Sequence, residues 1–314
     1  AGSGGSDLLL GGLGDDSYQV ESVGTVIMEH ANEGSDSVVS AVNYALSANV
    51  ENLHLLGSAI SATGNEVAND LYGNGNDNVL DGGAGIDRLE GWRGNDTYIV
   101  DNAADSVSEY LNEGIDTVES SVTYTLTANV ENLVLTGAAA IAGSGNSLNN
   151  AITGNTADNI LSGGGGADTL RGGAGNDSLL GGLGGDTYVY NPGDGNDLIV
   201  EIDSAAGDMD MLVFGSGIAV QDLTVTRSGA DSNDLKIAFA GSSGTLTLVD
   251  WFNPLLSGQI ELFYFFGGTV LTGTQMVDLI NYAPTVGQPL VDLEMFEDTA
   301  LSFTLPANTF VDPD

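Results

Sequence analysis

Aspartates recur in this sequence at a spacing that can gather them. Counting glycine as position one, nine-residue units begin at Gly64, Gly73, Gly82 and Gly91, and again at Gly145, Gly154, Gly163, Gly172 and Gly181. Position six reads Asn69, Asn78, Asp87, Asp96, then Asn150, Asn159, Asp168, Asp177 and Asp186, and two N-terminal units place Asp7 and Asp16 there. Carboxylates beside glycine turns, whose carbonyls are unshielded by side chains, form an all-oxygen environment. Six or more oxygens at about 2.3 to 2.6 Å is the coordination of calcium. A stack of such acids would repel itself unless a hard cation lay between the turns, so the expected cofactor is Ca2+, several ions of it.

The elements that position these acids follow from the rest of the unit. Position eight is one large hydrophobe: Leu71, Leu80, Leu89, Tyr98, then Ile152, Leu161, Leu170, Leu179 and Tyr188. Each unit is therefore a tight turn and about three residues of strand with one side chain inward. Successive turns fall on opposite edges of a flattened coil, so units two apart stack with sixth position over sixth position. Asp168 with Asp186 then offers two position-six carboxylates, whereas Asp87 with Asn69, Asp96 with Asn78 and Asp177 with Asn159 offer one each.

Composition excludes several classes. Asp and Glu number 44 against 5 Lys and Arg, a formal charge of -39, which repels nucleic acid and anionic membranes. Yet 42% of the residues are hydrophobic, too many for a disordered chain. Glycine, 46 of 314, is about twice its usual share, while 6 prolines exclude collagen. With no cysteine there is no disulfide, thiolate metal site or catalytic thiol. No apolar run approaches a membrane span, so membrane insertion is not expected.

A longer period overlies the nonapeptides. EGSDSVVSAVNYALSANVENLHLLG from Glu33 matches EGIDTVESSVTYTLTANVENLVLTG from Glu113 at an offset of 80. Val118, Val122, Tyr124 and Leu126 alternate with polar residues, a half-buried strand pattern. These segments read as wider solenoid rungs. Asp36 and Asp116, at matching distances beyond Asp16 and Asp96, and Asp105 either extend the ladder or are solvated acids. Asn52 and Asn132 read as either ligands or members of an asparagine ladder.

GGGGADTLR, GGAGNDSLL and GGLGGDTYV resemble the RTX (repeats-in-toxin, haemolysin-type) calcium-binding nonapeptide GGxGxDxUx. The resemblance implies an all-β fold, a parallel β-roll with calcium between stacked turns, secretion through a type I system and folding on extracellular calcium. It implies as ligands Asp7, Asp16, Asp87, Asp96, Asp168, Asp177 and Asp186, with turn carbonyls at Gly163, Gly166, Gly172, Gly175, Gly181 and Gly184. Asn69, Asn78, Asn150 and Asn159 depart from the motif.

The roll is expected over 1–190. From Asn191 the period breaks, and 191–281 resembles the haemolysin-type calcium-binding-related domain that follows such repeats. Its aromatics, Trp251, Phe252, Phe263, Tyr264, Phe265 and Phe266, suit a cap that closes the solenoid, and Asp197 in GDGND is read as a last ligand. Residues 283–314 resemble the first strands of a cadherin-like or immunoglobulin-like sandwich, which needs about 100 residues. The chain is accordingly expected to be a fragment of a large secreted or surface protein.

Catalysis finds little footing. The glycine turns lead into strands and lack the lysine of a phosphate loop, there is no GxSxG, and His30 and His54 have no partner histidine four residues on. A carboxylate pair for glycoside chemistry cannot be singled out among so many. The expected function is a non-catalytic calcium-binding spacer or presenter in an extracellular, adhesin-like chain. Its expected partners are calcium, neighbouring domains of the same chain and a cell-surface or polysaccharide target. The alternative is the secretion and folding module of an extracellular hydrolase, protease or polysaccharide-modifying enzyme whose catalytic domain lies outside this sequence.

Overall fold

The computed structural model describes residue 5 and residues 7–201, 208–229, 231, 233–253 and 259–280, with the backbone of 285–286 and 310–311. Short strands alternate between two faces of a solenoid. One face carries a twelve-stranded sheet in which every strand from Tyr44–Ala45 to Ile260–Tyr264 runs parallel, and only the terminal Val270–Thr272 is antiparallel. The other face carries a six-stranded parallel sheet from Ser17–Val20 to Ser106–Val107. An eight-stranded sheet begins one rung further on, at Tyr124–Thr125. Eleven parallel strands at about 4.8 Å make a stack roughly 50 Å long.

Position eight points inward, as its chemistry requires. Ala62, Leu80, Tyr98, Val118, Leu133, Ile152, Leu170, Tyr188, Leu212 and Phe263 form one column through the stack, each 0 or 1% exposed. Burying a large aliphatic or aromatic side chain is worth about 1.5 to 3 kcal/mol, so the column supplies the cohesion that strands of three or four residues lack. The step along it is not constant. Two nonapeptides separate Ile152 from Leu170, whereas the step from Tyr98 to Val118 is longer and that from Val118 to Leu133 shorter.

The alternating run after Asp116 does not form one strand. Thr117–Ser120 lies on the first face and Tyr124–Thr125 on the second. Buried Ser120 makes the corner: its hydroxyl donates to the Val122 carbonyl (2.8 Å), and the Val122 N–H comes within 3.2 Å of the same oxygen. Ser40 and Val42 repeat this corner in the first copy.

Parallel pairing continues past residue 190. Asn196–Val200, Asp210–Phe214, Thr245–Leu248 and Ile260–Tyr264 each add to the stack, and antiparallel Asp234–Phe239 and Leu223–Ser228 extend its edge. Aromatic packing concentrates at this end: Phe214 against Phe265 (centroids 4.8 Å apart), Trp251 against Phe263 (5.9 Å) and Tyr190 on Phe239 (4.8 Å). Phe266 is exposed. The expected sandwich strands at 283–314 lie outside the described residues, apart from the antiparallel backbone pair Thr285–Val286 and Phe310–Val311.

Candidate metal centre

At each nonapeptide turn the position-six side chain folds back into the turn. Asp87, Asp96, Asp168, Asp177 and Asp186 are at most 2% exposed, and the asparagines at this position are equally buried. Asparagine closes its turn with hydrogen bonds alone. Asn69 Oδ1 accepts from the Asn65 N–H (2.7 Å), while Nδ2 donates to the carbonyls of Val50 (2.9 Å) and Glu51 (3.2 Å) one rung back. Asn150 repeats the arrangement with Asn146, Val130 and Glu131. The departure of these positions from the aspartate pattern thus has a physical reason: the amide NH2 occupies the role a cation would fill.

Aspartate has no such donor. One oxygen is used: Asp168 Oδ1 accepts from the Asn150 N–H (2.7 Å), and Asp186 Oδ1 from the Asp168 N–H (2.8 Å). The other, Oδ2, is buried without a hydrogen-bond partner in Asp87, Asp96, Asp168, Asp177 and Asp186, and also in Asp7. A buried charge left so is costly unless something pairs with it. The surrounding backbone leaves room for that partner. A Cβ on Gly163 would fall on Asp168 Oδ2 and lie 2.5 Å from the Gly181 carbonyl oxygen, so both oxygens converge on space kept open by the missing side chain. Gly172 stands in the same relation to Asp177 Oδ2, and Gly181 to Asp186 Oδ2. Gly166, at φ +109°, sits so close to the preceding rung that an added Cβ would lie 2.5 Å from the Leu148 carbonyl oxygen, and Gly175 and Gly184 make the same approach to Ala157 and Gly166. Unpaired carboxylate oxygens and carbonyls around a glycine cradle fit a hard, oxygen-preferring cation, and the cofactor is Ca2+.

The ladder is more acidic than its asparagines imply. The Asp87 N–H donates to Asp105 Oδ1 (3.0 Å), Asp96 to Asp116 (2.8 Å), Asp177 to Asp197 (2.9 Å) and Asp16 to Asp36 (2.8 Å). Asp168 with Asp186 is therefore not the one carboxylate pair in the stack, because Asp87, Asp96 and Asp177 each meet an acid on the following rung. Asn52 and Asn132 donate to the carbonyls of Asp36 and Asp116 instead of facing a site. His30 is exposed, and His54 stacks on Tyr72 on the outer surface.

Burial dominates the electrostatics. It pushes Asp87, Asp96, Asp116, Asp168 and Asp177 up to about 6, and Asp186 and Asp197 to about 7. Glu109, buried and beside Asp116 and Asp96, rises to about 8. Without a cation burial makes these acids harder to ionise, and Glu109 is the one pushed above neutrality.

Four acids escaped the sequence reading. Glu29 joins Asp16 and Asp36, Glu109 joins Asp96 and Asp116, and Glu201 with Asp210 joins Asp186; in each group one oxygen per residue lies within 4.8 Å of the others. The signal was position eight: these groups sit at the units where tyrosine replaces the aliphatic residue, and the Tyr188 hydroxyl donates to Glu201 Oε2 (2.6 Å). Tyr18 and Tyr98 donate in the same way to Glu29 and Glu109.

Comparison with known proteins agrees with this geometry. The family model of the RTX calcium-binding nonapeptide repeat matches residues 1–18, 63–107 and 142–188, and that of the haemolysin-type calcium-binding-protein-related domain matches 234–275. Similar curated proteins include the iron-regulated protein FrpA of Neisseria meningitidis serogroup C, 35% identical over 97 residues (30% of this chain, 8% of that protein). Another is the endo-1,3-1,4-beta-glycanase ExsH of Rhizobium meliloti, 37% identical over 81 residues (26% and 16%). The chain thus spans a small part of the relatives it matches. Among solved structures, the match to the extracellular lipase LipA of Serratia marcescens covers 68% of this chain and 43% of that one at 17% identity and a TM-score of 0.20, too slight a likeness to argue from. Among the described residues no helix is long and apolar enough to cross a membrane.

Proposed function

Because this is a chain of RTX calcium-binding repeats followed by a haemolysin-type calcium-binding-related domain, we propose that it is a non-catalytic β-roll that folds on meeting extracellular calcium and acts as a spacer or presenter in a secreted, adhesin-like protein. The observation that carries the reading is the row of buried Oδ2 atoms at Asp87, Asp96, Asp168, Asp177 and Asp186 with no donor. Once ionised, such a row needs cations to complete it, which ties the fold at neutral pH to calcium supply. Neighbouring domains of the same chain and a surface or polysaccharide target are the partners this role implies.

The match to a glycanase supports a second reading, in which the roll serves the secretion and folding of an extracellular enzyme whose catalytic domain lies elsewhere. The test compares the purified chain with a longer protein that contains it. The spacer reading expects no turnover of polysaccharide, ester or peptide by the chain, and a longer protein whose calcium removal collapses the roll without affecting any turnover. Loss of a neighbouring domain's activity on roll-specific calcium loss would favour the enzyme module, and turnover by the isolated chain would overturn both.

A further inference from the structure

The three tyrosine-bearing units differ from the others in a way that bears on how the ions are held. Among the described residues, only here does the ladder receive a third carboxylate from outside the nonapeptides. The rung that follows each tyrosine is widened: Asp16 to Asp36 and Asp96 to Asp116 span 20 residues and Asp186 to Asp210 spans 24, against 18 within the arrays. The extra residues carry a glutamate back over the preceding turn, Glu29 or Glu109 eleven residues beyond its tyrosine and Glu201 thirteen beyond.

Two of these glutamates are neither solvated nor satisfied by protein alone. Glu29 and Glu109 are 5% and 7% exposed, and Oε2 of each is buried without a hydrogen-bond partner, as is Oδ2 of the neighbouring Asp96. The tyrosine accounts for one glutamate oxygen only. In the second unit the Gly91 N–H donates to the Tyr98 oxygen (2.9 Å) and the Tyr98 hydroxyl donates to Glu109 Oε1, which fixes the carboxylate beside the aspartates and leaves Oε2 unused. In the third unit Gly181, Tyr188 and Glu201 repeat the relay at 2.7 and 2.6 Å. A hydroxyl in an otherwise aliphatic column is thus a positioning group for a ligand.

We propose that Glu29, Glu109 and Glu201 are cation ligands, and that the three tyrosine units are a distinct class of calcium site, each with three carboxylates, which fills before the remaining turns. The inference rests on the calcium-binding reading above. Three carboxylates around one divalent ion leave a net charge near -1 and give the orphaned oxygens of Glu29 and Glu109 a partner, and added ligand charge raises calcium affinity. Because each site joins an array to its widened rung, filling it fixes the register at that junction.

The tyrosines provide the readout. The calcium-free chain, titrated with Tb3+ as a hard oxygen-seeking probe, is expected to show tyrosine-sensitised emission saturating at three equivalents ahead of a weaker class. Glu109→Gln, which keeps the shape and the tyrosine contact, is expected to weaken one of the three by roughly tenfold or more. Tyr98→Phe, which frees Glu109 Oε1, is expected to weaken the same one of the three sites by less than Glu109→Gln does while sensitised emission falls by about one third, and it carries the test if Glu109→Gln fails to fold in saturating calcium. A tight class unchanged by Glu109→Gln, or emission unchanged by Tyr98→Phe, would overturn the assignment while calcium-induced folding still stood. A chain that neither folds with calcium nor binds Tb3+ would remove the calcium reading itself.

Discussion

Chelating calcium from the folded chain separates a cation-held roll from one held by its hydrophobic column. Five nonapeptide aspartates from Asp87 to Asp186 bury an unpartnered oxygen. If each belongs to a site held at ten times its dissociation constant, the bound ion contributes about 1.4 kcal/mol per site, or about 7 kcal/mol together. That matches the stability of a whole domain, about 5 to 15 kcal/mol. Removing the ions also leaves the formal charge of -39 uncompensated. With excess EGTA, circular dichroism should lose its strand signal, and small-angle scattering should show the radius of gyration rising from about 20 Å toward about 60 Å. Restoring calcium should reverse both changes. Magnesium at equal concentration should not, since it dehydrates reluctantly and demands tight octahedral geometry. Strand signal and radius unchanged by EGTA would refute the reasoning, because the buried oxygens would then need another explanation.

Acidity should partly replace calcium. Folded-state values of about 6 to 8 at Asp87, Asp168, Asp186 and Glu109 exceed the ordinary values of about 4, so the calcium-free fold binds more protons than the unfolded chain between about pH 4 and 8. Its stability is therefore greatest below about pH 4 and falls as pH rises through those folded values; in EGTA, strand signal should increase from pH 8 to pH 5, and a decrease would contradict the burial argument. Asp87→Asn should supply the NH2 that Asn69 and Asn150 use, so the chain should bind one calcium fewer yet resist urea better in EGTA than the parent. Gly163→Ala places a methyl where Asp168 Oδ2 and the Gly181 carbonyl converge, and should cost about 1 to 3 kcal/mol in saturating calcium, read from the urea midpoint.

The nine-residue register was legible because it fixes two things at once, an inward hydrophobe and a buried acid or amide, and both recur without a gap from Gly145 to Tyr188. Where the rung length changes, that legibility fails. Asp116 and Asp197 stood out as candidate ligands, but they meet Asp96 and Asp177 across 20 residues, which the nonapeptide period does not anticipate, so the pairing at those steps was not legible. Parallel pairing beyond residue 190 was hidden for the same reason, since Leu212 follows Tyr188 by more than two nonapeptides and Phe263 stands further still from Leu212. Glu29 and Glu109 belong to no nonapeptide at all. Their marker was the tyrosine at position eight, which reads as a hydrophobe until its hydroxyl is asked for a partner.

The order of asparagine and aspartate within the arrays then acquires a meaning. The two longer arrays each open with two asparagine turns, Asn69 and Asn78 or Asn150 and Asn159, and continue with aspartates. The asparagines are tied by Nδ2 to carbonyls of the rung before, at Val50 and Glu51, Ala59, Val130 and Glu131, and Ile141, so they attach the array to the wide rungs with no ion required. Their backbone N–H groups in turn donate to the first aspartates, Asp87, Asp96, Asp168 and Asp177. An asparagine turn therefore presents a neutral, finished edge that already orients one oxygen of the following carboxylate. Electrostatic repulsion begins only at the next step, where acid faces acid, and there the cation becomes necessary. Placing amides at the start of each longer array confines the calcium requirement to its second half, so that loss of calcium should release the aspartate rungs before the asparagine rungs. Amide hydrogen exchange during EGTA addition reads that order, and simultaneous release of Asn69 and Asp87 rungs would refute it.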